Sequence, residues 1–182
     1  MLRLTIDACD YYDPVTETFE TFPAVTLQLE HSLISVSKWE AIYHKSFLST
    51  PQITADEFRD YVRCMTLNKN VDDSVYQRLT MVHEGIIRDY INNPMTATTI
   101  NDKGKPPRRG KVTTSEELYG NMVMLGIPFE CEKWHLNRLI MLIRVCSIQQ
   151  NGGGSRKMSP KDYAQWSAAQ NLARRAKTGS RG

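Results

Sequence analysis

Long apolar runs are missing from this chain. The longest uninterrupted aliphatic stretch, Leu139 to Ile143, is five residues, far short of the roughly 20 that a membrane-spanning helix needs. Paired cysteines are missing as well. Cys9, Cys64, Cys131 and Cys146 are scattered with no CxxC among them, so they read as free thiols. Where a secretory leader needs a basic start and an apolar stretch, the N-terminus carries Asp7, Asp10, Asp13 and Glu17, and a cytosolic setting is the expectation. The glycine-rich "NGGGSRK" lacks the GK[ST] ending of a phosphate loop and follows a helical pattern where that loop follows a strand. In "DACDYYD" the aspartates are three apart, whereas a calcium loop needs alternate positions and a downstream glutamate, so a solvated turn is the reading.

What is present suits a soluble domain. A chain of 182 residues with 41% hydrophobic content is long enough to bury roughly two thirds of its unfolded surface. Its charge is uneven. Residues 1–150 hold 16 Lys/Arg against 19 Asp/Glu, whereas residues 151–182 hold seven against the single Asp162. An acidic body with a basic tail suggests a tail that touches an acidic partner or folds back on its own body.

Strand signals come first: Leu2, Leu4 and Ile6 alternate with polar neighbours, as do Val25, Leu27 and Leu29, with a possible strand between them. Ser37 is expected to cap a short helix containing Trp39, Ile42 and Tyr43. "TADE" from Thr54 is a capping box opening an amphipathic helix with Phe58, Tyr61, Val62 and Met65 on one face. Asp72 or Asp73 starts a short helix, and Thr80 caps another whose stripe is Val82, Ile86, Ile87, Tyr90 and Ile91. Residues 95–113 read as a hairpin or exposed loop, with five basic residues and one acid in 101–111. Thr114 to Glu117 is a second capping box before Leu118, Tyr119, Met122 and Val123, and Gly126 suits the helix end. Pro128 then opens one long helix through Cys146, on which Glu130, Lys133, Asn137 and Arg144 form a narrow polar stripe. Such a helix is buried by several neighbours or shows a second face to a partner.

These patterns predict a mainly helical α+β fold, a small N-terminal antiparallel sheet followed by a helical bundle and a detached C-terminal helix. The expected domains are a globular 1–150, a Gly/Ser linker at 151–158 and a basic helix at 159–182. Cys131 and His135 would share a helical face as metal ligands do, but no second close pair completes the four that structural zinc needs. They are assigned to packing, and no cofactor or metal is expected. No nucleophile with an orienting base is visible either. The partner-binding candidates are Tyr163 and Trp166, three apart on the tail helix, Arg174 and Arg175 two turns on, and Trp134 in the body, because aromatic residues and arginine commonly dominate interface energies.

The strings "LQLEHSLISVSKWEAIYHKSFLS" (27–49), "YVRCMTLNKNVD" (61–72), "DYINNPMTAT" (89–98) and "IPFECEKWHLNRLIMLIRVCS" (127–147), with the tail "MSPKDY…AAQNLARRAK", give the chain an overall look that resembles the tail assembly chaperones of tailed bacteriophages. The resemblance covers most of the chain past residue 26. It implies a non-enzymatic protein of the infected host's cytoplasm that binds the phage tape measure protein, assists tail tube assembly through the tube protein and is absent from the finished virion; self-association is a further partner expectation. Two other readings stay open: a structural head-tail or capsid-associated protein, and a nucleic-acid-binding regulator using the basic loop and tail. The loop lacks the interleaved aromatics of a nucleic-acid platform, which makes nucleic acid the weaker partner.

Overall fold

The computed structural model describes residues 1–14, 17–100, 112–150, 164–165 and 167–169. The fold is α+β and mainly helical. In chain order it comprises β1 (Leu2–Ile6), β2 (Cys9–Asp13), β3 (Thr18–Phe22), β4 (Val25–Leu29), α1 (Leu33–Tyr43), α2 (Ala55–Met65), α3 (Asp73–Gln77), α4 (Met81–Asn92), α5 (Ser115–Met124), a 3-10 helix (Phe129–Lys133) and α6 (Leu136–Gln150). The chain divides into two units, Met1–Cys146 and Ser147–Gly182. The second unit begins with the last residues of α6, and its described residues 164–165 and 167–169 are helical. The expected linker at 151–158 lies outside the described residues.

β1 pairs with β4 and β2 with β3, both antiparallel, as two separate two-stranded sheets. They share one register: Leu2 faces Leu29, Cys9 faces Phe22, and in every pair of both ladders the residue numbers add to 31. The four strands are therefore one long hairpin interrupted where Asp7 and Ala8 pass Pro23 and Ala24. Pro23 has no N–H to give the ladder. Arg78 takes over there, donating from Nη1 to the Asp7 carbonyl at 3.0 Å and from Nη2 to the Pro23 carbonyl at 3.3 Å.

The inner half of this ribbon alternates as its sequence predicts, with Leu4, Ile6, Leu27 and Leu29 buried against the helices and Thr5 meeting Thr26 on the wet face. The outer edge of β4 is closed by residues 65–68. Glu30 N–H bonds to the Met65 carbonyl at 2.9 Å and Leu67 N–H to the Gln28 carbonyl at 2.8 Å. The Asn68 side chain then extends this bridge between Leu29 and Thr66, accepting from Gln28 N–H and donating to the Thr26 carbonyl.

The helices meet the ribbon through one core, to which Trp39 of α1, Phe58, Tyr61 and Met65 of α2, Ile87 of α4, Met122 of α5 and Leu136 and Leu139 of α6 contribute fully buried side chains. The Thr54 capping box at α2 is present in both directions, and Thr80 and Thr114 cap α4 and α5. Gly126 has φ +65°, the left-handed conformation expected after α5.

Three expectations are corrected. The first helix starts five residues earlier than Ser37: Ser32 is its N-cap, and Ser35 answers in the reciprocal position normally held by Glu or Gln. The stripe on α4 is split, since Ile87 and Tyr90 are buried while Val82 and Ile86 are exposed. The single helix from Pro128 to Cys146 is in fact two. A 3-10 turn ends at Trp134, whose backbone is extended, and His135 forms an antiparallel bridge with Ser32. Leu136 N–H donates to the His31 carbonyl at 2.7 Å, so a bond to the 30–32 segment replaces an intrahelical one. Residues 95–100 and 112–113 form no strand; the basic segment between them lies outside the described residues.

Candidate functional site

The break at Trp134 carries His135 to the turn between β4 and α1, where His31 sits. Their rings meet edge to face with centroids 5.1 Å apart, and both side chains are buried. The Tyr61 hydroxyl hydrogen-bonds to His31 Nδ1. Burial, and secondarily the neighbouring His135, lowers the His31 pKa from 6.5 to about 3. Burial also pushes the Tyr61 pKa upward, so a protonated phenol sits beside a neutral ring.

His135 is lowered by burial against the opposing effect of its bond to the Tyr90 carbonyl. That bond, 3.0 Å from Nε2 to an acceptor, fixes the tautomer: Nε2 carries the proton, and Nδ1 accepts from Asn137 N–H at 3.3 Å. Tyr90 in turn donates its hydroxyl to Glu30 at 2.7 Å, and the other Glu30 oxygen meets the N-terminal amine at 2.8 Å. The network joins the ribbon, α2, α4 and the start of α6. Two neutral, hydrogen-bonded histidines locked in a core act as structural connectors rather than as a proton shuttle at neutral pH.

A second buried group is Glu40 on α1. One carboxylate oxygen accepts from Phe47 N–H at 2.9 Å and the other from Ser115 N–H at 2.7 Å. Ser46 adds a bond to the Thr113 carbonyl at 2.5 Å, and Thr113 N–H donates to Ser49 at 2.9 Å. Both Glu40 oxygens are thus engaged in holding the first turn of α5 to α1. A small pocket of about 280 Å³ beside it is lined by Glu40, His44, Lys45 and Glu116.

Of the partner-binding candidates, Tyr163, Trp166, Arg174 and Arg175 lie outside the described residues. Trp134 is half-buried against the core, and the Arg138 guanidinium covers its ring at 4.3 Å. Cys131 is a buried core residue on the 3-10 helix, so Cys131 and His135 do not share an α-helical face. Among the described residues no group of three or more His, Cys, Asp or Glu is arranged to hold a metal ion. No helix among them is long and apolar enough to cross a membrane.

The remaining candidates are surfaces. At the end of α5, Val123 and Met124 are exposed, the latter 75%. Val123 lies one turn beyond Tyr119, whose ring is 6.2 Å from that of Phe129, itself 55% exposed. The Tyr119 hydroxyl is tied to Glu132 at 2.8 Å, which fixes the ring in this apolar shelf. The helical pattern marked Tyr119 and Val123 as inward; Tyr119 is half-buried against the core, while Val123 is exposed. The second surface is the outer half of the ribbon, where Tyr11, Tyr12 and Phe19 are all exposed and the Tyr12 and Phe19 rings meet across the strands at 5.1 Å, tilted by 51°. No family model, curated protein or solved structure matches the chain.

Proposed function

We propose that the protein is a non-enzymatic tail assembly chaperone of a tailed bacteriophage, acting in the host cytoplasm, which holds the long helical tape measure protein soluble until tube subunits polymerise around it. The observation that supports this reading most directly is the apolar shelf of Tyr119, Val123, Met124 and Phe129. Scattered exposed apolar residues are ordinary, but several of them at a helix end with acidic residues nearby in the chain (Glu130 and Glu132) suit the apolar face of an amphipathic helix. The basic tail supplies a second, charged contact in this reading, through Tyr163, Trp166, Arg174 and Arg175.

The test is co-expression with the tape measure protein of a tailed phage that carries this gene. Wild-type protein is expected to keep that client in the soluble fraction and to co-purify with it, and Val123→Asp together with Phe129→Asp to lose both effects while melting normally. Equal solubility of the client with and without wild-type protein rejects the reading. Recovery of the protein at stoichiometric levels in purified virions would favour a head-tail or capsid component instead.

A further inference from the structure

The outer ribbon and the pocket at its base have no role in the shelf reading above, and they stand on independent observations. Between Leu4 and Ser37 the sequence has no Lys or Arg, while Asp7, Asp10, Asp13, Glu17 and Glu20 all fall in the outer ribbon and its approach. A bare two-stranded ribbon is marginal in water and usually protects its edges by pairing, cover or charge. Here the charge is of one sign only, and Phe19 stands 72% exposed. Acids alone would suffice to keep an edge from aggregating; exposed aromatic rings beside them work against that purpose.

The two edges also differ. β3 and β4 form one arm of the hairpin, and its inner part is closed by residues 65–68 down to Thr26. Past that point the bridging segment turns away through Asn70, which takes φ +54°, into α3. Where it leaves, a pocket of about 510 Å³ opens. Its apolar walls are Phe22, Pro23, Val25, Val71 and Val75, with Arg78 beside them. The edge of β3 therefore runs straight out of a site where β4 already pairs with a bridging segment, and it starts at a recess with room for a side chain.

We infer that the outer edge of β3 receives an extended, lysine- or arginine-rich segment of a partner protein as an added strand, with one apolar side chain of that segment seated in the pocket between Phe22 and Val75. Backbone bonds to the edge supply affinity, the pocket fixes register, and the acids of the ribbon select for positive charge and accelerate encounter. The occupant is identified by complementarity: alternate side chains of an added strand lie on each face of the ribbon, where they meet Glu20 and Asp10 as well as the Tyr12 and Phe19 rings.

The probe is a fluorescein-labelled peptide of about ten residues alternating lysine and valine, a strand of ordinary length, titrated with full-length protein and read by anisotropy. Binding is expected to weaken as salt rises from about 0.05 to 0.3 M. The same peptide N-methylated at alternate residues keeps every charge but loses its outward N–H groups, and is expected to bind at least about tenfold more weakly, a loss near 1.4 kcal/mol. Ser74→Phe and, separately, Lys69→Phe fill the pocket from its rim and are expected to weaken binding similarly, with melting checked for each. The proposal is overturned if the parent peptide does not bind, if the methylated or a glutamate–valine peptide binds as well, or if both pocket variants bind like wild type.

Discussion

His31 shows how burial turns a common surface residue into a pH-dependent strut. In the native protein its ring stays neutral until about pH 3, whereas in the unfolded chain it takes a proton near pH 6.5. The unfolded state therefore binds more protons throughout that interval, and stability falls as pH drops from 6.5 toward 3. The loss is about 2 kcal/mol at pH 5, above the range where carboxylates contribute. Urea unfolding at pH 7 and pH 5 is expected to show it, with His31→Gln flattening the slope; equal slopes for the two proteins would remove His31 from the account. Arg78 acts by geometry instead. Replacing it with alanine frees the carbonyls of Asp7 and Pro23 and uncovers the Phe22 ring, 5.4 Å from the guanidinium. Amide exchange is expected to accelerate in β2 and β3 and to stay unchanged in β1 and β4. Uniform acceleration across all four strands would show that Arg78 supports the core rather than the joint. Neither role was legible in the sequence, because His31 meets His135 and Arg78 meets Asp7 only across long chain separations.

At the scale of elements, legibility followed the range of the forces involved. The cap of α2 was readable because Thr54 and Glu57 satisfy each other's backbone within one turn. The start of α1 was not, since a serine at Ser35 performs the glutamate's role with a shorter reach. The break at Trp134 was invisible because nothing local forbids a continuous helix there; the competing bonds from Ser32 and His31 win only once the ribbon is in place. The Glu40 connection was hidden for the same reason. Glu40→Ala leaves the Phe47 and Ser115 N–H groups without their buried acceptor and is expected to destabilise the protein by about 2–4 kcal/mol. Glu40→Gln keeps one carbonyl oxygen and is expected to lose about 1–2 kcal/mol. Thermal or urea unfolding measures both, and losses below 0.5 kcal/mol, the ordinary effect of an exposed substitution, would mean that water replaces the carboxylate without cost.

For the whole molecule, every buried apolar residue among those described lies between Leu4 and Ile143. The alternating strands and amphipathic helices made the α+β class readable, while the shelf and the strand-accepting edge were not, because exposure depends on where neighbours stop. Deleting residues 151–182 is expected to leave the melting of the remainder nearly unchanged and, under the proposed chaperone reading, to reduce co-purification with a co-expressed tape measure protein; full retention would move the proposed contact wholly to the Val123 and Phe129 shelf. The constant pairing of the ribbon has one more consequence. Since inner and outer ladders count from the same origin, length can be added or removed beyond Asp7 and Pro23 without the core registering the change, provided each arm gains or loses the same number of residues. Each matched pair moves the tip by about 3.4 Å. A single unmatched residue would instead slip one arm against the other and turn that arm's side chains beyond it to the opposite face, parting Tyr12 from Phe19. Natural relatives are thus expected to differ in ribbon reach by even steps, with the joint at Pro23 as the point from which that reach is measured.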